Sequence, residues 1–73
     1  MTQEMITIVK EIHSGINKVT FSQIGRFTML NINFNVGENK DCFQSFTGAN
    51  VEAVITEARE YFWGIVLAEI KNN

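Results

Sequence analysis

The sequence contains no proline, one cysteine and one histidine in 73 residues. A single cysteine cannot close an internal disulfide, and Cys42 with His13 cannot supply the four ligands of a structural zinc site. Small domains without these supports commonly gain stability by self-association. We therefore expect no metal and no cofactor, and we expect a second copy or another protein as the partner.

The sequence also lacks long apolar runs, an export signal and a surplus of basic charge. No apolar run approaches the roughly 20 residues of a transmembrane helix, and no basic-then-apolar stretch opens the chain. Six basic against eight acidic residues give a net charge of −2, which offers no general attraction to nucleic acid or anionic lipid. We expect a soluble cytoplasmic protein that does not attach to membranes and binds nucleic acid poorly.

The composition that remains is that of a globular domain, with 45% hydrophobic and 19% charged residues. The length fits a single domain over 1–73, and no linker or internal repeat interrupts it. A chain this short buries only about 60% of its unfolded surface, so the core is small.

The N-terminal segment predicts a helix over about 3–14. Its apolar residues recur at helical spacing: Met1, Met5, Ile8, Val9, Ile12 and Ile16. Thr2 fits the N-cap, and Gly15 fits a left-handed stop at the C-terminal end. The β-branched run 6–9 would also suit a strand, so both alternatives stay open.

Three strands are predicted in the middle of the chain. Residues 17–24 favour a short strand that ends at Gly25. The best strand is 27–36, in which apolar and amide side chains alternate from Leu30 to Val36, as in an antiparallel strand with one face buried and one face in water. A turn over 37–40 leads to a third strand over 41–47.

The register of the second and third strands has alternatives. One register places Phe43 behind Phe34 on the core face of the sheet. A shift by one residue places Cys42 and Phe46 there instead. A bulge would turn Phe43 and Phe46 inward together. The sequence does not decide among them.

The last segment carries the clearest periodicity in the chain. Asn50 fits the N-cap of a helix over about 51–71. One face of that helix is apolar: Val51, Val54, Ile55, Ala58, Phe62, Ile65 and Val66. The order α-β-β-β-α predicts an α+β domain, a three-stranded antiparallel sheet with the long C-terminal helix packed on one face.

This element order resembles that of double-stranded-RNA-binding domains, which have a similar length. Those domains carry a Gly-Pro-x-His loop between their first two strands and a pair of lysines at the start of the second helix. Here the loop is Gly25-Arg26, and the helix begins Asn-Val-Glu-Ala over 50–53, with an acid where a phosphate contact would lie. The resemblance stops at topology, and no family is recognised.

No pattern in the sequence predicts catalysis. His13 has no obvious carboxylate or nucleophile as a partner, and we expect a surface histidine in the last turn of the first helix. Cys42 has no basic neighbour or helix N-terminus to activate it, and we expect a buried or half-buried structural cysteine. The glutamates of the last helix are typical of a solvated face: Glu52, Glu57, Glu60 and Glu69. We predict that the protein is not an enzyme.

Asn31, Asn33 and Asn35 stand at alternate positions of the second strand. Their amides both donate and accept hydrogen bonds, so this asparagine stripe is a candidate partner face. Faces that bind single-stranded bases usually carry aromatic and basic side chains as well. Residues 15–48 hold three basic and two acidic side chains, and this small surplus makes a solvated face the simpler interpretation.

The last helix carries a second apolar stripe, Trp63, Leu67 and Ile70, at spacings of four and three and away from its core face. A helix that is apolar on two sides is buried on two sides or exposes an interface. Gly64 lies beside the stripe, where glycine costs about 1 kcal/mol relative to alanine and lets another backbone come close. The alternative is that Trp63 folds back over its own domain.

These features predict a non-enzymatic interaction module that self-associates as a two-fold dimer through its C-terminal helix. The predicted interface is Trp63, Gly64, Leu67 and Ile70. The alternative function is a weak nucleic-acid-binding domain that uses the asparagine stripe.

Overall fold

A computed structural model describes residues 2–71 and places a helix, three strands and a helix in that order. The elements are α1 (Thr2–Lys10), β1 (Ile16–Ile24), β2 (Phe27–Val36), β3 (Asn39–Gly48) and α2 (Val51–Lys71). The strands form one antiparallel sheet in the order β1-β2-β3. The predicted α+β class and element order are confirmed. Met1 lies outside the described residues, as does the side chain of Thr2 that is predicted to cap α1.

The N-terminal segment is a helix rather than a strand, but it is shorter than the predicted 3–14. α1 ends at Lys10. Beyond it the amide of Ile12 donates to the carbonyl of Val9 at 3.0 Å, the tight spacing typical of a helix end. The chain then turns from the helix layer toward the sheet, so the last predicted turn of the helix does not form.

Gly15 has a different role from the predicted left-handed stop. The described glycines with positive φ are Gly25 and Gly37, which lie in the turns between strands. The carbonyl of Gly15 accepts a hydrogen bond from the amide of Asn35 at 2.9 Å. A Cβ at Gly15 would collide with the carbonyl oxygen of Asn35. Glycine is therefore needed because the chain entering β1 lies directly against β2.

The structure resolves the register of the β2–β3 hairpin. Cys42 pairs with Phe34 and Phe46 pairs with Leu30. Partners in an antiparallel pair point to the same side of the sheet, so Cys42 and Phe46 face the core while Phe43 points away from it. The turn is shorter than the predicted 37–40 because β3 already begins at Asn39, and a bulge between Phe34 and Val36 takes up the extra length.

Both helices pack on the same face of the sheet, and the core lies between the two layers. Its buried apolar residues come from all five elements: Val9, Ile16, Val19, Leu30, Ile32, Phe34, Phe46, Val54, Ile55, Ala58 and Phe62. The predicted cap of α2 is present, since Asn50 Oδ1 accepts a hydrogen bond from the amide of Ala53 at 2.8 Å. Within residues 2–71, no helix is long and apolar enough to cross a membrane.

An aromatic cluster holds α2 on β2 and β3. The ring of Phe62 meets Phe34 edge to face, with centroids 4.9 Å apart. Tyr61 makes the same kind of contact with Phe34 at 6.1 Å and with Phe46 at 5.6 Å. Such pairs contribute about 0.5–1.5 kcal/mol beyond the area that they bury. The cluster fixes α2 near the end of β2, where the sheet stops.

Candidate interaction surfaces

The second half of α2 exposes the predicted interface. None of the described residues after Phe62 is buried. Trp63 is 62% exposed, Leu67 41% and Ile70 63%. These three side chains, here called the Trp63 stripe, lie on one side of the helix because their spacings of four and three approximate whole helical turns. The alternative in which Trp63 folds back over its own domain is wrong, since the chain leaves most of that side chain uncovered.

Gly64 lies in the same exposed segment. A Cβ at this position would meet nothing within 4 Å. No close approach inside the described chain therefore requires a glycine there. The notch that Gly64 leaves in the helix surface opens outward, beside Trp63 and Leu67.

A shallow groove lies between α1 and α2. Arg59, one turn before Trp63, lines this groove together with Ile8 and Ile12. Both isoleucines are only partly buried, although they pack against the core. Glu11 completes the lining, so the groove is half apolar and half charged, and no residue of the Trp63 stripe lines it.

The other surface is the face of the sheet opposite the helices, here called the open face. Strand registers and alternation place twelve side chains on it: Lys18, Thr20, Ser22, Ile24, Phe27, Met29, Asn31, Asn33, Asn35, Phe43, Ser45 and Thr47. The asparagine stripe thus lies on the side away from the core, as its alternation with apolar residues predicts. Two aromatic rings share this face, with Phe27 55% exposed and Phe43 56% exposed.

Two of the three asparagines hold neighbouring strands in place. Asn31 Oδ1 accepts a hydrogen bond from Ser45 Oγ at 2.7 Å. Asn35 Oδ1 accepts one from the backbone amide of Asp41 at 2.9 Å. Asp41 has a φ of 57°, a conformation that costs energy for residues other than glycine, so the bond from Asn35 stabilises the bulge of β3. These two amides therefore have structural partners within the sheet.

Asn33 lies between a cation and an aromatic ring. It pairs with Lys18 on one side and with Phe43 on the other. Sequence reasoning missed Phe43, because its orientation depends on the hairpin register. Phe27 could have been found, since the strict alternation of β2 puts it on the same face as the asparagines.

His13 differs from the predicted surface residue in a last helical turn. α1 ends before it, and the side chain is only 13% exposed. Nδ1 accepts a hydrogen bond from the amide of Gly15 at 2.9 Å, and the ring lies 5.5 Å from that of Phe62. Nε2 lies 3.6 Å from a carboxylate oxygen of Glu69. Because the helix ends early, the ring turns inward and connects the α1–β1 turn to α2.

The remaining candidate residues form no assembled site in the described part of the chain. Cys42 is half-buried, as predicted. The glutamates of α2 are all exposed: Glu52, Glu57, Glu60 and Glu69. Among residues 2–71, no three side chains of His, Cys, Asp or Glu are grouped so that they could hold a metal ion.

Comparison with family models, with curated proteins and with solved structures finds no match for this chain. Function therefore has to be inferred from the two exposed surfaces, the Trp63 stripe on α2 and the open face of the sheet.

Proposed function

We propose that the protein is a non-enzymatic self-association module that forms a two-fold dimer through the second half of α2. The observation that carries this proposal is the exposure of Trp63, Leu67 and Ile70 on one side of a helix. Tryptophan is a preferred centre of protein interfaces, because it buries a large area with few rotatable bonds. Contiguous apolar surface of this kind is uncommon on monomers without a partner.

The second half of α2 has few contacts with the rest of the described chain: Ile65 packs against the core, and a carboxylate oxygen of Glu69 lies 3.6 Å from His13 Nε2. Residues 63–71 continue the helix for more than two turns without one buried side chain. Helices shorter than about 12–15 residues are marginal in water unless tertiary contacts stabilise them. Gly64 weakens this segment by about a further 1 kcal/mol relative to alanine. A second copy packed along it would supply the missing contacts.

Two-fold symmetry multiplies the effect of a short stripe. Each side chain of the stripe occurs twice in the dimer interface. Full burial of one large apolar side chain contributes about 1.5–3 kcal/mol, against a cost of association of about 4–15 kcal/mol. The three side chains are only 41–63% exposed before association, so each side chain supplies roughly half of that figure. Six such contributions are comparable to the lower part of the cost, which fits a weak dimer.

An antiparallel pairing of the two helices fits the residues beside the stripe. Glu60, Gly64, Leu67 and Lys71 follow one line along α2, at spacings of four, three and four. Pairing centred between residues 65 and 66 places Leu67 over the partner's Gly64. It also places Glu60 opposite the partner's Lys71. Trp63 and Ile70 of both copies then border this contact along one side.

Light scattering during gel filtration tests the proposal. We expect about twice the 8.3 kDa chain mass. Replacing Trp63 and Leu67 together with glutamine should give folded monomers, because the apolar contact between copies is lost. The matched control is Phe43→Gln, which removes an equally exposed aromatic ring from the opposite side of the molecule. This control should remain dimeric.

Two outcomes would contradict the dimer. One is a wild-type chain that stays monomeric at millimolar concentration. The other is dissociation by Phe43→Gln to the same extent as by the double variant, which would move the interface to the open face of the sheet.

A further inference from the structure

One row across the open face brings together three side chains suited to hold a nucleotide. Lys18, Asn33 and Phe43 are direct partners on the three neighbouring strands, about 5 Å from one to the next. An aromatic ring stacks on a base, an amide bonds to a base edge, and an ammonium group neutralises a phosphate. The ring of Phe43 is more than half exposed, so a planar ligand can reach it.

A second aromatic ring and a second cation lie at the other end of the same face. Phe27 is exposed, and Arg26 precedes it in the β1–β2 turn. Asn33 lies six positions after Phe27 in β2, a distance of about 20 Å along the strand. Stacked nucleotides rise about 3.4 Å each, so the face matches about six of them. This length lies within the roughly 4–16 nucleotides that sheet-based sites for single strands cover.

The negative net charge of the chain is located away from this face. Residues 16–48, which form the sheet and its turns, hold three basic and two acidic side chains. The rest of the chain holds three basic and six acidic ones, so the acidic surplus lies in the helical layer. Of the twelve open-face side chains, only Lys18 is charged. Asp41 of β3 lies at the edge of the same face, two residues before Phe43, and its amide donates a hydrogen bond to Asn35 Oδ1. Glu38 and Asp41 lie at the β2–β3 end and limit the affinity for phosphates.

The arrangement favours single strands over a duplex. The bases of a duplex are stacked on each other, so an exposed ring on a flat sheet cannot reach their faces. Unpaired bases can stack on Phe43 and Phe27 while the phosphates pass Lys18 and Arg26. A face that depended on charge alone would need more basic residues than these.

From these observations we infer that the open face is a low-affinity site for single-stranded nucleic acid, with Phe43 as the stacking platform, Asn33 as the base-edge contact and Lys18 as the phosphate contact. The site lies on the side of the sheet opposite α2. It is therefore compatible with the dimer and does not depend on it.

Fluorescence anisotropy with a labelled octamer of thymidylate tests the site. At about 20 mM salt the full chain should bind with a dissociation constant of tens to hundreds of micromolar, the range of weak sequence-independent binding. Phe43→Ala should weaken binding about tenfold, whereas Phe43→Tyr should retain it. Lys18→Gln should reduce the slope of log affinity against log salt by about one.

Two controls separate this site from general electrostatics and from the dimer. Trp63→Ala removes a similarly exposed ring from the helical layer and should leave the affinity unchanged, because Trp63 lies on the other side of the molecule from the open face. An abasic octamer of the same charge should bind at least about tenfold more weakly, because it offers nothing to stack on Phe43. Wild-type amide chemical shifts should change along the three strands and not along α2, a readout that needs no variant.

Several results would overturn the inference. They are the absence of saturable binding at about 1 mM protein, equal affinity for the abasic octamer, equal affinity of a folded Phe43→Ala variant, and chemical-shift changes confined to α2. If the octamer does not bind, the inference is wrong, and a protein becomes the candidate ligand of the open face. None of these results would bear on the mass of the protein in light scattering, so the dimer is tested separately.

Discussion

The two halves of α2 are both rich in apolar residues but lie in different surroundings. In the first half, Val54, Ala58 and Phe62 are buried against the sheet. In the second half, Trp63 and its stripe are exposed. The difference arises because Phe62 already contacts Phe34, two residues before β2 ends. Beyond that point the helix continues and the sheet does not. The apolar periodicity of a helix therefore identifies a face that favours burial. Whether the same chain buries that face depends on how far the sheet extends beneath the helix.

The largest expected contrast is between two neighbouring aromatic residues of α2. Phe62→Ala removes a fully buried ring and should cost about 3–5 kcal/mol, against a total stability of roughly 4–11 kcal/mol for a chain of this length. We expect this variant to lose its cooperative thermal transition in circular dichroism. Trp63→Ala should fold, because the side chain has few contacts within its own domain.

The dependence of stability on protein concentration distinguishes the core role of Phe62 from the proposed interface role of Trp63. The stability of wild type should rise with concentration, because dimer formation stabilises the folded state, and that of Trp63→Ala should not. At about 1 µM a weak dimer has dissociated. If Trp63→Ala is markedly less stable than wild type at that concentration, Trp63 supports its own domain. The two halves of α2 would then not differ in the way described above.

A smaller difference between the two halves of α2 is expected for the single substitutions Ala58→Gly and Gly64→Ala. Ala58→Gly, in the buried half, should destabilise the monomer by about 1–2 kcal/mol through lost helix propensity and a lost buried methyl group. Gly64→Ala, in the exposed half, should stabilise the monomer by up to about 1 kcal/mol, because the added Cβ meets open space. Chemical denaturation of dilute samples measures both changes.

Gly64→Ala should affect the dimer in the opposite direction. The added methyl group fills the notch that receives the partner's Leu67, so the dimer dissociation constant should rise while the monomer becomes more stable. A variant that stabilises monomer and dimer equally would mean that the partner does not approach the helix at Gly64.

The elements that could be predicted from the sequence depend on local spacing. The core face of α2 and its Asn50 cap follow from residues within one or two helical turns. The bounds of β2 follow from the glycines on either side, Gly25 and Gly37, and from the alternation over 30–36. Local patterns of this kind are the same in any tertiary context, which is why the element order could be inferred without the structure. They also mark the Trp63 stripe as apolar, but its exposure became apparent only from the structure, because Trp63 folded back over its own domain would have the same spacing.

The features that could not be predicted depend on contacts between distant segments. α1 ends early because Gly15 must lie against Asn35, twenty residues later. The orientation of Phe43 depends on the bulge of β3 that Asp41 forms. His13 turns inward because Phe62 offers it a surface to pack on. None of these partners is apparent from the sequence near the residue itself.

The smallest expected effect concerns the charges beside the Trp63 stripe. In the antiparallel dimer, Glu60→Lys would put a lysine opposite the partner's Lys71. Two like charges would then face each other at each end of the contact. Exposed ion pairs contribute about 0.2–1 kcal/mol each, so the dissociation constant should rise about two- to tenfold. Sedimentation velocity at about 50 mM salt measures this change, which should diminish at about 500 mM because salt screens exposed charges.

The charge exchange Glu60→Lys with Lys71→Glu decides the orientation of the two helices. In the antiparallel dimer it restores opposite charges at both ends and should recover most of the lost affinity. The recovery should be incomplete, because a glutamate in the last turn of α2 interacts unfavourably with the helix dipole. Glu52→Lys is the matched control, since it changes the net charge equally in the half of α2 away from the contact. In a parallel dimer each Glu60 would face its own copy, so Glu60→Gln would tighten association and the exchange would restore nothing. That pattern would reject the antiparallel pairing while leaving the Trp63 stripe as the interface.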